Sequence, residues 1–322
     1  MFKILFFAVL TLLCYIGIGF VLRKTKLASE DFAKSFSVYT IYVGQIAMLL
    51  HCFIIPFDKI IFKKVSVVFI LSFFIHLLMY FVAIKLFKKA PEKTRAVLQF
   101  GIIFCNVGFM GIPLVTDVFG DEFVIYVTAN IIWFNVLGFS LGRLIFTNDK
   151  KYISLKKIIV NPAVIPIMIG FVIYLTGFGG YITEKINDTD FFAKILKLIY
   201  DVVTILKNTV APASMIVVGA KLAQTSFKGL HKDKNVYLFT VIRLFLFPIM
   251  IWAILRVLYQ FNVIDYNLMA VMLIVFSTPA ATTTTIFAEL YEKDSEYAGK
   301  LVALTSLLSV VTMPIVSLLL YI

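Results

Sequence analysis

Long apolar stretches dominate this chain, and short gaps rich in charged residues separate them. A helix that crosses a bilayer needs about 20 predominantly apolar residues. The stretches of about that length are 4–22, 36–56, 65–86, 96–119, 122–146, 158–178, 202–222, 236–257, 267–290 and 300–321. The gap 179–201 has apolar residues at helical spacing between charged ones, which predicts an amphipathic surface helix. The pattern predicts an all-α integral membrane protein with ten transmembrane helices.

Composition and charge agree with this interpretation. Of 322 residues, 61% are hydrophobic and 15% charged, against about 45–50% apolar and about 25% charged in soluble domains. Of the 30 Lys and Arg residues, twenty lie in the gaps after odd-numbered spans and eight on the other side. Cytoplasmic loops carry the excess of basic residues. We therefore expect a multi-pass cell-membrane protein with both termini outside the cytoplasm, the lipid bilayer as partner and no nucleic acid.

Ten spans divide into two sets of five, and an odd number gives the two halves opposite topology. We expect inverted five-helix repeats over 1–147 and 148–322. The fourth span of each repeat is interrupted near mid-bilayer. The residues of these interruptions are Asn106, Gly108, Gly111 and Pro113 in span 4, and Ser277, Thr278, Pro279, Thr282 and Thr283 in span 9.

Broken backbone at this depth occurs only where it lines a cavity or is buried in protein. Paired interruptions indicate the central binding site of a transporter, although two kinked helices with Gly and Thr used for packing are the alternative. Half-helices that start after Pro113 and Pro279 would direct N–H groups and positive dipole ends at the bilayer centre. We therefore expect a small organic anion to bind to neutral donors, with no metal and no cofactor.

These residues resemble the auxin efflux carrier family. The motifs that carry the resemblance are Asn106-Val-Gly-Phe-Met-Gly-Ile-Pro113, Asn161-Pro162, Pro212 with Gly219, Arg243 with Pro248, Thr278-Pro279 with the Thr run, Ile286-Phe287-Ala288 with Tyr291, and Pro314. The chain departs from the family in span 2, where Gly44-Gln45 stands in place of a mid-span Pro.

The resemblance implies a scaffold and a transport subdomain, each drawn from both repeats, with crossover helices at spans 4 and 9. It also implies an elevator-type exporter of organic anions, often a homodimer. Bacterial members are associated with malate- or malonate-like dicarboxylates and plant members with auxin, and this chain resembles the bacterial type.

Other polar residues within spans extend the candidate site. Gln45, Asn130 and Asn135 are expected to line the pocket, and hydrogen bonding between helices is the alternative. His76, Arg243 and Glu289 are candidates for coupling or gating, because ionisable residues within membranes are often functional. The structural alternatives are a packing role for His76, and for Arg243 a buried pairing with Glu289.

Absent features narrow the function. No Asp or Glu lies near the middle of a predicted span, which argues against a sodium/proton antiporter built on central carboxylates. Enzyme motifs such as a P-loop or HExxH are also absent from the sequence, so we expect no enzyme. Three hypotheses remain: a secondary transporter, a ligand sensor that uses the same pocket without transport, and a channel.

Overall fold

The computed structural model describes residues 2–148, 161–225 and 232–322, and these are almost entirely helical. The α-helices are α1 (Phe2–Lys24), α2 (Phe32–Tyr39), α3 (Gln45–His51), α4 (Lys59–Ala83), α5 (Glu92–Ile103), α6 (Ile112–Phe119), α7 (Val124–Leu137), α8 (Arg143–Thr147), α9 (Val164–Leu175), α10 (Phe178–Lys185), α11 (Phe191–Asn208), α12 (Val210–Gln224), α13 (Lys234–Val241), α14 (Phe247–Gln260), α15 (Tyr266–Ser277), α16 (Thr283–Leu290) and α17 (Ser295–Ser317). Wider π-helical turns at Thr40–Gly44, Val107–Gly111, Gly138–Gly142 and Ile242–Leu246 lead into α3, α6, α8 and α14.

The helices show that this is a multi-pass membrane protein. Six continuous helical stretches in the described ranges are long and apolar enough to cross a membrane, and α9 with α10, bent by 77°, makes a seventh. The three other predicted spans correspond to α2–α3, with its π-helical turn, and to the interrupted pairs α5–α6 and α15–α16. The predicted start of span 6 at 158 lies outside the described residues.

The prediction of one separate surface helix over 179–201 is wrong. Residues 178–185 form α10, and a helical stretch of 34 residues, Phe191–Gln224, contains both α11 and α12. Large apolar side chains of α11, such as Phe191, Leu198 and Ile205, are exposed. The amphipathic spacing in the sequence thus marks a long helix with one apolar face on the outside of the protein, rather than a separate helix.

Aspartates fix the start of several helices. A side-chain oxygen that accepts a hydrogen bond from a free N–H group of the first turn stabilises a helix N-terminus by typically about 1 kcal/mol. Side chains that do this are Asp58 for α4, Asp190 for α11, Asp233 for α13, Asp265 for α15 and Asp294 for α17. The acidic residues between apolar runs therefore serve as boundaries of the helices.

The helices pack as two groups, which meet where α1 packs on α6 and α17. In the first bundle, α1 packs along α12, and α3 packs on α9 and α11. In the second bundle, α4 packs on α7, α14 on α15, and α17 on α5, α15 and α16. Each bundle combines helices from both halves of the chain.

Two glycines allow α1 and α12 to approach closely. A methyl group added to Gly19 would lie 2.0 Å from the carbonyl oxygen of Ile216, and one added to Gly219 would lie 1.9 Å from that of Ile16. Neither distance leaves room for a side chain. The glycines thus set the distance between the central helices of the first bundle, as small residues do in membrane helix pairs.

We expect Gly19→Ala to lower the unfolding temperature of the purified protein in detergent, because overpacking of this kind costs about 1–3 kcal/mol. Gly17→Ala is the matched control, since a methyl group there meets nothing within 4 Å. Alanine also favours a helix over glycine by about 1 kcal/mol, so the control should unfold at the same or a higher temperature. Equal unfolding temperatures for the two variants would contradict the close contact between α1 and α12.

Candidate functional site

The two interrupted helices cross where their backbones break. Helices α5 and α15 have 12 residues each, about 18 Å of helix, so both end inside a hydrocarbon core of about 30 Å. Cys105 and Ala280 form an isolated antiparallel β-bridge there. The N–H of Asn106 donates to the carbonyl of Pro279 at 2.8 Å, and the N–H of Ala281 donates to that of Phe104 at 3.0 Å. Each break thus provides hydrogen-bond partners for some of the free backbone groups of the other.

The guanidinium of Arg243 binds the carbonyl groups at the ends of α5 and α15. Nε donates to the carbonyl of Thr278 at 3.1 Å, Nη1 to that of Ile102 at 3.0 Å, and Nη2 to those of Phe276 and Thr278 at 2.7 and 2.6 Å. Arg243 is 0% exposed. Because helix C-termini carry partial negative charge, a cation at this position is electrostatically favourable.

The alternative that paired Arg243 with Glu289 is wrong. Glu289 is exposed in the last turn of α16. Arg243 is fully buried, and its hydrogen bonds go to backbone carbonyls and not to this carboxylate. Backbone carbonyls, and not a carboxylate, accept the hydrogen bonds of the Arg243 guanidinium.

The second half of the first crossover helix starts earlier than expected. Its π-helical turn begins at Val107, and Pro113 lies in the first turn of α6, six residues after the break rather than before the helix start. A helical proline leaves the carbonyl four residues earlier without its N–H partner. Here Ser214 Oγ of α12 donates to that carbonyl, on Phe109, at 3.1 Å. The prediction that a half-helix starts after Pro279 agrees better with the structure, since α16 begins at Thr283.

A cavity of about 290 Å³ lies between the two bundles, beside the start of both second half-helices. The first bundle contributes the turn at Thr40–Gly44 and the segment 161–163 just before α9. Apolar walls come mainly from Phe100, Phe109, Phe134, Phe139, Ile286 and Phe287. The polar side chains of the lining are Tyr42, Gln45, Asn106, Asn135, Asn161, Thr282 and Thr283. Among the described residues that line the cavity, none is ionised at neutral pH.

The structure brings part of the predicted site together. Six predicted residues line the cavity: Gln45, Asn106, Gly108, Asn135, Thr282 and Thr283. Close packing places Gln45 Nε2 only 3.0 Å from where a β-carbon of Gly108 would lie. The departure from the family pattern at Gly44-Gln45 is thus part of the cavity wall, next to a π-helical turn.

The remaining predicted residues do not line the cavity. Gly111, Pro113, Ser277, Thr278 and Pro279 belong to the crossing or the helices beside it, and the hydroxyl groups of Ser277 and Thr278 donate to carbonyls of α15. In this geometry these residues shape the breaks and do not face the cavity.

Asn130 of α7 and His76 of α4 lie in a buried polar cluster with Ser72 of α4. The Asn130 amide donates to Ser72 Oγ at 3.4 Å, and His76 Nδ1 lies 2.7 Å from the Ser72 carbonyl. The ring of His76 packs against Phe276 and Phe104 at the two breaks. Neither residue lines the cavity, so the expectation that Asn130 faces the pocket is wrong.

Sequence reasoning did not assign Tyr42 and Asn161 to the site. Asn161 precedes Pro162 and Ala163 at the start of α9, and its Oδ1 accepts the Ala163 N–H at 2.8 Å. The Asn-Pro pair marks a helix start, so this signal was present in the sequence. Tyr42 carries no such signal, because only the π-helical turn brings it to the cavity.

Two buried donors beside the cavity have no partner. Asn106 is 4% exposed, and its Nδ2 makes no hydrogen bond, nor does the hydroxyl of Thr283. Buried polar groups are nearly always paired. Asn106 and Thr283 both line the cavity beside two helix N-termini, an arrangement suited to bind an anion.

Broken helices that cross beside a cavity, in an all-helical multi-pass protein, define a class of membrane transporters. Comparison with protein families agrees with this class. The family described as "membrane transport protein" matches residues 4–153 and again 149–317. The chain therefore belongs to this family, that of the auxin efflux carriers, as the resemblance indicated. It is a family of transporters and not of enzymes. No curated protein matches the chain significantly.

We expect Asn106→Leu to leave the unfolding temperature unchanged or to raise it slightly. The substitution removes an unpaired buried donor, and such a donor costs about 1–3 kcal/mol. Asn135→Leu is the matched control on the same cavity, because Asn135 Nδ2 donates to the Ile131 carbonyl at 2.8 Å, and it should lose about 1 kcal/mol. A clearly larger loss for Asn106→Leu than for the control would mean that Asn106 holds the fold and not a ligand.

Proposed function

We propose that the protein is a secondary transporter of small organic anions and that the cavity between the bundles is its binding site. The observation that carries this proposal is the donor-rich, uncharged wall beside the start of two half-helices, with the Asn106 amide unpaired. Helix N-termini favour anions, and neutral donors orient a carboxylate without a buried basic residue. A volume of about 290 Å³ lies at the lower end for small-molecule sites.

The chemistry of the walls supports two kinds of carboxylate. Asn106, Thr282 and Thr283 offer hydrogen bonds to a carboxylate group, while Gln45 and Asn161 on the first bundle offer a second polar region. A dicarboxylate of malate or malonate size suits this arrangement. The phenyl rings of the other walls suit an auxin-like acid with an apolar body.

We further propose ten membrane crossings in two inverted repeats, 1–147 and 148–322. Two successive family matches, each over about half of the chain, support the repeats. The similar position of the breaks, α5–α6 in one half and α15–α16 in the other, supports them as well. In this proposal the first bundle is the scaffold and the second the transport subdomain of an elevator, and the cavity lies on their boundary.

The distribution of basic residues supports a cell-membrane location with both termini outside the cytoplasm. Export as the direction of transport and a homodimer as the assembly follow from the family resemblance, and both belong to the proposal.

The test is flux of radiolabelled malonate, malate and indole-3-acetate in sealed proteoliposomes. We expect wild-type protein to move at least one of them, and Asn106→Ala to weaken its apparent affinity about ten- to hundredfold. A hydrogen bond to a charged group is worth about 1.5–3 kcal/mol, and every 1.4 kcal/mol is tenfold. Asn187→Ala, an exposed residue far from the cavity, is the control.

Undiminished flux in Asn106→Ala would contradict the assigned site. Binding by wild-type protein without flux would favour the sensor, and conductance far above carrier turnover would favour a channel.

A further inference from the structure

Arg243 is a charged residue inside a membrane protein whose partners are all on the backbone. Ionisable side chains at this depth are rare, and they pair with one another or with backbone carbonyls, or face a water-filled cavity. Among the described residues, the ion pairs leave Arg243 without a carboxylate partner. Its hydrogen bonds go to three backbone carbonyls, and it does not line the cavity. Its hydrogen bonds therefore stabilise the crossing of the two helices and do not contact a substrate in the cavity.

Those carbonyls have the chemistry of a cation site. They are the oxygens of Ile102, Phe276 and Thr278, at the C-terminal ends of two half-helices, and they converge on one guanidinium. Converging carbonyl oxygens and two negative dipole ends together attract a cation. In transporters with broken helices, unwound carbonyls and half-helix C-termini coordinate the coupling Na⁺ or H⁺. Here the guanidinium of Arg243 binds such carbonyls.

We propose that Arg243 is a resident cation that takes the place of a co-transported one, so that the crossover forms and binds its anion without Na⁺. The role of Arg243 is inferred from its hydrogen bonds at the crossing. The part that concerns anion binding rests on the proposed transport function. Arg243 is then a positioning residue: it aligns Phe104–Asn106 with Thr278–Ala281, and hence the donors of the cavity.

An arginine suits this role better than a lysine. Its planar guanidinium has five donors in a fixed fork, and Nε, Nη1 and Nη2 are all used here. Arginine also stays protonated at all working pH values, so its charge is permanent.

The first experiment measures thermal unfolding of purified protein in NaCl and in choline chloride at equal ionic strength. We expect wild-type protein to unfold at the same temperature in both salts. Arg243→Met keeps a side chain of moderate length but removes every donor, and it should unfold at a lower temperature. Na⁺, or guanidinium at millimolar concentration, should raise that temperature again because either ion can enter the freed carbonyl site. Gly17→Ala, remote from the crossing, should respond to neither ion.

The second experiment measures flux of the transported anion under the same conditions. Wild-type flux should be independent of Na⁺, and Arg243→Met should lose about tenfold or more in choline and recover part of it in Na⁺ or guanidinium. Arg243→Lys keeps one charge with fewer donors, so it should remain Na⁺-independent with intermediate flux. This variant also serves if Arg243→Met fails to fold.

The outcomes separate this proposal from the transport function. Wild-type unfolding or flux that requires Na⁺ would overturn the resident cation, whereas the absence of any anion flux would overturn only the transporter. An Arg243→Met variant that unfolds like wild-type protein, or that neither ion stabilises, would also overturn it, and so would an Arg243→Lys variant that becomes Na⁺-dependent.

Discussion

The structure depends on one constraint: backbone N–H and C=O groups must find partners where there is no water. An unsatisfied group in a bilayer costs several kcal/mol, and two broken helices at one depth expose several of them. The bridge between Cys105 and Ala280 pairs some of these groups, and Arg243 takes the carbonyls at the C-terminal ends. The helical segment α13–α14, which carries Arg243 in its π-helical turn, is therefore as necessary to the crossing as the broken helices themselves.

This arrangement gives the crossing two chemically different sides. Acceptors at the ends of α5 and α15 face a permanent cation buried in protein, whereas donors at the start of the other half-helices border the cavity. The proposed preference for anions thus arises from backbone direction, because reversing either helix would present carbonyls to the ligand. In the proposed site, side chains such as Asn106 and Thr282 then refine where the anion sits, without any charged residue in the described wall.

Much of this could be predicted from residue types, since Gly, Pro, Asn and Thr within apolar spans are conspicuous. What failed were details that depend on backbone geometry. Pro113 suggested a helix start, but a π-helical turn and the Ser214 hydroxyl accommodate it within a helix that begins earlier. Glu289 was considered as a partner of Arg243 because a sequence displays carboxylate side chains, whereas it does not show which backbone carbonyls are free. Asn130 and Asn135 lie five residues apart, about 140° around a helix, so one helix cannot point both squarely into the same cavity.

The polar contacts of the crossing also bear on the bundle movement that the proposed elevator requires. Arg243, the β-bridge and both pairs of half-helices lie within the second bundle, so displacement of this bundle as a unit leaves their hydrogen bonds intact. Contacts that join the bundles include the Ser214 hydroxyl on the Phe109 carbonyl and the ion pair between Lys207 and Asp121. Those two contacts would have to break. A lost hydrogen bond costs about 1 kcal/mol, and the ion pair costs more because the Lys207 side chain is only 9% exposed. A sliding second bundle would therefore expose few unpaired groups, whereas separating α5 from α15 would expose the whole crossing.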